Sequence, residues 1–214
     1  MFATAADGTK IWYDTAAGPR PVLFVHGFAS DSDRTWVRTG WVRAVQDRGH
    51  VLVDLRGHGQ SGRPASGYSP DGLARDVLSV LDEAGLSEVD AVAYSMGGLV
   101  GWELAGLAPG RIGRLALGGI GGAPAGRAEL ARVQAALSGQ GLEACAEGIA
   151  GHRIEGTPPC PVLFAAGDSD EVAADAPEFA AALNAPFVSL GRRNHFNAVS
   201  GRRFKEAVLD FFER

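Results

Sequence analysis

From residue 21 onward, short apolar runs alternate with longer segments whose apolar residues recur at three- and four-residue intervals. The runs cover residues 21–25, 50–55, 89–93, 112–117, 161–165 and 187–190. They are mostly uninterrupted by polar residues, as expected of strands buried on both faces. The segments between them predict helices over 35–46, 71–84, 96–107, 172–183 and 199–212. In 71–84 the spacing of Leu73, Val77, Leu78 and Leu81 is helical, with Ser69-Pro70 as a cap-like start and Gly85 as a stop. Ahead of this pattern, strands over 2–4 and 10–14 are joined by Asp7-Gly8, a hairpin signal.

Strands alternating with helices imply an α/β fold: a mostly parallel sheet with helices on both faces and right-handed crossovers. Ligands in such sheets bind beyond the C-terminal ends of the strands. Residues 118–159 break the rhythm. They open with Gly118-Gly119-Ile120-Gly121-Gly122 and continue into two short predicted helices, 127–137 and 142–149. About forty residues build no substantial core alone. The expectation is therefore a single domain over 1–214, with a lid-like insertion over about 119–158.

The chain has 214 residues, of which 46% are apolar and 21% charged, an ordinary globular composition. A net charge of -5 and the lack of any long Lys/Arg block argue against a nucleic-acid partner. No apolar run reaches the roughly 20 residues of a membrane helix. The first residues lack the basic-then-apolar pattern of a signal peptide. A cytoplasmic protein without a membrane partner is expected. Cys145 and Cys160 are the only cysteines, and two free, buried thiols suit that compartment. They are too few for a structural zinc site. No metal and no cofactor is expected.

The stretch Ala93-Tyr94-Ser95-Met96-Gly97-Gly98 carries the most chemistry. It places a serine between a buried strand and a helix, with small residues at Ala93 and Gly97 that let the two come close. Read plainly, Ser95 could be a helix cap. Read chemically, it is a nucleophile at the top of a strand, which needs a base and an orienting acid. Of the five histidines, His195 follows a strand and precedes a helix. His50 lies at the wrong end of its strand. His58 sits inside the Arg56-Gly57-His58-Gly59 turn, and His26 reads as a loop brace. His152 falls in the insertion, where it could line a pocket. Asp170 is the preferred acid, with Asp168 as its rival, since both follow the strand over 161–165. Backbone N–H groups of Met96 and Phe28 are placed to meet an oxyanion. Phe28 and Tyr94 would also line a partly apolar substrate pocket.

Taken together and in this order, His26-Gly27-Phe28, Asp54-Leu55-Arg56-Gly57-His58-Gly59-Gln60-Ser61, Tyr94-Ser95-Met96-Gly97-Gly98, Gly167-Asp168-Ser169-Asp170 and His195 resemble the alpha/beta-hydrolase superfamily. The resemblance covers essentially the whole chain. It implies an eight-stranded sheet with a short helical lid, the triad Ser95, Asp170 and His195, and oxyanion donors at Phe28 and Met96. Two departures stand out. Ala93 replaces the first glycine of the Gly-x-Ser-x-Gly elbow, and Asn194 replaces a glycine often found before the histidine.

The resemblance implies a serine hydrolase cleaving a small-molecule ester through an acyl-enzyme. An amidase or aminopeptidase, lactonase, thioesterase or perhydrolase would use the same triad. Outside enzymes, the alternative is a small-molecule binding module on the same fold. The short insertion suggests small or slim acyl groups. Oligomeric state is not legible.

Overall fold

In β3 (Val22–Val25) successive side chains divide between two layers. Leu23 and Val25 enter one apolar cluster, Val22 and Phe24 the other. This is the period-two alternation of a strand with a helical layer on each face. The computed structural model describes residues 1–137, 140–157 and 160–214. Its eight strands are β1 (Phe2–Thr4), β2 (Lys10–Ala16), β3, β4 (His50–Val53), β5 (Val89–Tyr94), β6 (Ile112–Gly118), β7 (Val162–Ala166) and β8 (Phe187–Ser189). They form one sheet in the order β1-β2-β4-β3-β5-β6-β7-β8. β1 and β2 pair antiparallel to their neighbours, and every other pair is parallel. The expected hairpin is present: Thr9 N–H donates to Asp7 Oδ1 at 3.0 Å, and Gly8 takes a φ of 86°.

The helices are α1 (Trp41–Ala44), α2 (Pro70–Glu83), α3 (Met96–Leu107), α4 (Arg127–Ala136), α5 (Glu143–Ile149), α6 (Ala176–Ala182) and α7 (Arg202–Phe212). Leu73, Val77 and Leu81 of α2 and Val100 and Leu104 of α3 pack on one face of the sheet. Phe204, Val208 and Phe212 of α7, with Trp36 and Trp41, pack on the other. Ser69 caps α2, its Oγ accepting from Gly72 N–H at 3.2 Å, with Pro70 in the first turn. Among the described residues no helix is long and apolar enough to cross a membrane.

Two predicted helices are corrected. The segment 35–46 is not one helix: a π-helical turn over Asp33–Val37 gives way to the short α1, with Gly40 between them at φ 82°. The cause is tertiary. Trp36 and Trp41 are five residues apart, a spacing that a continuous helix would splay. The break lets both reach Phe24, with ring centroids at 5.1 and 6.0 Å. The segment 172–183 becomes helical only at Ala176. The Asp170 carboxylate takes the Val172 and Ala173 N–H groups at 3.1 and 3.2 Å, which holds the preceding turn out of the helix.

Within the insertion, α4 and α5 contribute Leu130, Val133, Cys145 and Ile149 to the same cluster as α2 and α3. These helices cover the C-terminal edge of the sheet and extend its core. The predicted boundary of the insertion, at Pro158 and Pro159, lies outside the described residues.

Candidate active site

Ser95 stands between β5 and α3 with φ 54° and ψ -122°, a conformation that L side chains rarely adopt. Holding such a residue costs about 1–3 kcal/mol, so its surroundings must impose it. They do so from both sides. Ser95 N–H donates to the Gly118 carbonyl of β6 at 2.8 Å, and the Ser95 carbonyl accepts from Gly98 N–H at 2.7 Å. The helix can start so close to the sheet only because residue 97 has no side chain: a Cβ there would lie 2.3 Å from the Val25 carbonyl oxygen. Ala93, in place of the usual elbow glycine, is accommodated by Gly101 one turn along α3. A Cβ at Gly101 would come within 3.2 Å of the Ala93 methyl.

His195 Nε2 lies 3.0 Å from Ser95 Oγ. Its Nδ1 lies 3.0 and 3.1 Å from the two oxygens of Asp170. With the proton on Nδ1, the ring donates to the carboxylate and leaves Nε2 free to accept from the serine hydroxyl. Asp170 and His195 are both buried. The acid's Oδ1 is aimed by the Val172 and Ala173 N–H groups. The acid loop and the histidine loop are also bonded to each other. Asp168 N–H donates to Gly191 O at 2.8 Å, and Ser169 N–H to Arg193 O at 3.1 Å. Asp168 itself faces away and accepts from the Ser189 hydroxyl at 2.5 Å.

Tyr94, expected at the pocket wall, makes through its hydroxyl a contact that its position in the sequence does not announce. It lines a cavity beside Ser95, and its hydroxyl donates to the His195 carbonyl at 2.7 Å. The phenol is nearly sealed from solvent, and burial raises its pKa well above the ordinary value. It therefore acts here as a neutral donor.

The loop after β3 passes directly against the serine. A Cβ on Gly27 would lie 3.3 Å from Ser95 Cβ and 3.8 Å from its Oγ. Among the described residues, neither Phe28 N–H nor Met96 N–H has an acceptor. Two neutral histidines hold this loop. His26 Nε2 accepts from Leu55 N–H at 3.0 Å while its Nδ1 reaches the Gly27 carbonyl at 2.8 Å. His58 Nε2 accepts from Ala29 N–H at 3.2 Å while its Nδ1 reaches the Arg56 carbonyl at 3.0 Å. Burial lowers the pKa of both rings, that of His58 to about 3. Ala29 itself takes a φ of 59°. Asp54 ties this loop to the next, accepting from Ser32 N–H at 2.9 Å, from its hydroxyl at 2.6 Å, and from Gln60 N–H at 2.9 Å.

Two cavities open on Ser95, with Phe28 in the wall of both. The smaller lies under the insertion and includes Met96, Leu99, Leu130 and His152. It also includes Glu129, a half-buried carboxylate whose pKa burial raises and the neighbouring His195 lowers, burial having the larger effect. The larger cavity is bounded by Tyr94, His195 and Phe196. Both cysteines are free thiols, but only Cys145 is buried and Cys160 is partly exposed; Cys145 Sγ lies 3.8 Å from Sδ of Met96, which lines the smaller cavity. Among the described residues no three His, Cys, Asp or Glu side chains cluster as a metal site would require.

Comparison with known proteins places these features in context. The profile of the alpha/beta hydrolase fold matches residues 20–138. A non-heme haloperoxidase of Rhodococcus erythropolis is 36% identical over 99 residues, covering 45% of this chain and 35% of that protein. The non-heme chloroperoxidase CPO-A1 of Kitasatospora aureofaciens is 38% identical over 97 residues, covering 44% and 34%. The chain thus spans about a third of the length of these curated relatives. Among solved structures, the esterase RhEst1 from a Rhodococcus species superposes with a TM-score of 0.79 at 25% identity, over 100% of this chain and 98% of that one. Est816, described as an N-acyl homoserine lactone degrading enzyme, superposes with a TM-score of 0.81 at 23% identity, over 99% of this chain and 100% of that one.

Proposed function

Because the chain belongs to the alpha/beta-hydrolase fold family, we propose that it is a serine hydrolase that cleaves carboxylic esters of small molecules. The observation that carries this reading is the continuous chain of contacts from Ser95 Oγ through His195 to Asp170, at 3.0 Å and 3.0–3.1 Å. In the reaction, Nε2 of His195 takes the hydroxyl proton as Ser95 Oγ attacks the ester carbonyl carbon. Asp170 holds the ring in the required tautomer and stabilises its cationic form. The oxyanion is met by Phe28 and Met96 N–H. Donors of this kind are worth about 2.7–4 kcal/mol each in the transition state. The imidazolium then returns its proton to the departing alkoxide, leaving an ester on Ser95. Water, deprotonated by the same ring, cleaves it to the carboxylic acid and free serine.

The haloperoxidase names of the curated relatives favour a second use of the same intermediate. Hydrogen peroxide in place of water would release a peroxy acid from the acyl-enzyme, with no change in the residues. Assay of p-nitrophenyl acetate hydrolysis, with Ser95→Ala as control, tests the main reading. Turnover that vanishes in the variant supports it, and undiminished turnover in the variant refutes it. Adding peroxide to the assay and detecting peracetic acid tests the second.

A further inference from the structure

The two cavities that meet at Ser95 differ in size and in their relation to the base. The one bounded by Leu99, Leu130 and Ile149 has a volume of about 50 Å³ and lacks His195 in its wall. The one bounded by His195, Tyr94, Phe196 and Val199 has a volume of about 190 Å³. A tetrahedral intermediate on Ser95 carries four substituents: the serine oxygen, the oxyanion, the leaving oxygen and the acyl carbon. The oxyanion faces the loop after β3. The leaving oxygen must receive a proton from Nε2 of His195, so it lies within hydrogen-bond reach of that ring. The acyl carbon takes the direction that remains, away from the base.

Resting on the serine-hydrolase reading above, we infer that the acyl group enters the small cavity and the leaving group the large one. The preferred substrates are then esters of short, uncharged acids with longer, apolar alcohols. Glu129 sets the charge preference, since it is the only carboxylate lining either cavity among the described residues. An anionic acyl group would be driven against it. Phe28, Val133, Leu137, Phe196 and Val199 form the apolar part of the large cavity's wall, beside the polar Ser30, Arg34, Thr35 and Thr39, and an alkyl alcohol laid on that apolar part loses water contact. Burying one methylene is worth up to about fourfold in affinity or transition-state binding. A methylene that does not fit the small cavity costs about fivefold or more through overpacking.

The experiment is a two-way ester series. With ethanol as the fixed alcohol, kcat/KM is expected to fall as the acid lengthens from acetyl to hexanoyl. With acetyl as the fixed acid, kcat/KM is expected to rise as the alcohol lengthens from ethyl to hexyl. Monosuccinyl esters should be poor substrates beside butyryl esters, and Glu129→Gln should narrow that gap. Two local variants assign the cavities. Leu130→Ala should relax the limit on acid length and leave the alcohol preference in place. Ser200→Phe, at an exposed position on the rim of the large cavity, should remove the gain from hexyl alcohol and leave acid selectivity in place. The opposite trends, or variants that exchange these effects, overturn the assignment while leaving serine hydrolysis intact. Failure of every ester, together with no labelling of Ser95 by a fluorophosphonate, overturns the serine reading and the assignment with it.

Discussion

The Tyr94 hydroxyl donates a 2.7 Å hydrogen bond to the His195 carbonyl, so the residue before the candidate nucleophile fixes the loop that carries its base. The two are 101 positions apart in the chain. His195 is otherwise held by its ring's contacts to Ser95 and Asp170 and, less directly, by the bonds of its loop to the acid loop. Tyr94→Phe keeps the buried ring and removes the bond. The exchange should lower thermal stability by about 1–3 kcal/mol, the cost of an unsatisfied buried acceptor. It should lower kcat about tenfold while changing KM little, as a base displaced by a fraction of an ångström demands. Steady-state kinetics beside a thermal melt checks this. A variant that loses stability but keeps full kcat would show that the tyrosine braces the fold alone.

Asp170 and Asp168 leave the same strand two positions apart, yet only Asp170 reaches His195. Asp168 spends its carboxylate on the exposed Ser189 hydroxyl. Asp170→Asn should therefore lower kcat by about 10⁴, the loss seen when a serine triad's acid becomes an amide that favours the wrong ring tautomer. Asp168→Asn should retain kcat within an order of magnitude. The reverse ranking would transfer the acid's role to Asp168.

The buried His58 ties pH to stability. Its ring is neutral in the folded protein, with a pKa of about 3 against an ordinary value of 6.5. Burial is the main cause, joined by repulsion from His26 and Arg63, while the bond to the Arg56 carbonyl opposes both. A lowered folded-state pKa means the unfolded chain binds the extra proton first as pH falls. The contribution of the neutral ring is complete above about pH 6.5 and is lost progressively down to about pH 3. His26 acts in the same direction. The melting temperature should fall steadily from pH 7 to pH 4, and His58→Asn should flatten that slope at the cost of a lower plateau. Melts across this range check it. An unchanged slope in His58→Asn would place the pH sensitivity elsewhere.

Much of this arrangement is legible in the sequence because it depends on local rules. Asp7-Gly8 marks its hairpin, and the apolar runs mark the strands of the two-faced sheet. Ser95, Asp170 and His195 each follow a strand, so their loops must share one edge of a parallel sheet. What escapes reading depends on partners distant in sequence. Gly40 breaks the expected helix because Trp36 and Trp41 both answer to Phe24. α6 starts late because Asp170 consumes the Val172 and Ala173 amides. Gly101 looks like a flaw in α3 until it is seen facing Ala93, the residue that departs from the usual elbow. The Tyr94 hydroxyl bond and the unequal cavities likewise follow from how loops meet, and no spacing rule encodes them.

Ser95 is expected to become acylated during turnover, and acid-quenched mass spectrometry of the reaction detects the acyl group. Mixing the protein with excess p-nitrophenyl acetate should release a burst of p-nitrophenol close to one equivalent per chain. Quenching in that phase should yield an acetyl group on the peptide containing Ser95, absent in Ser95→Ala. Acetylation at another residue, or continued turnover by Ser95→Ala with no acylated peptide, would rule out Ser95 as the nucleophile.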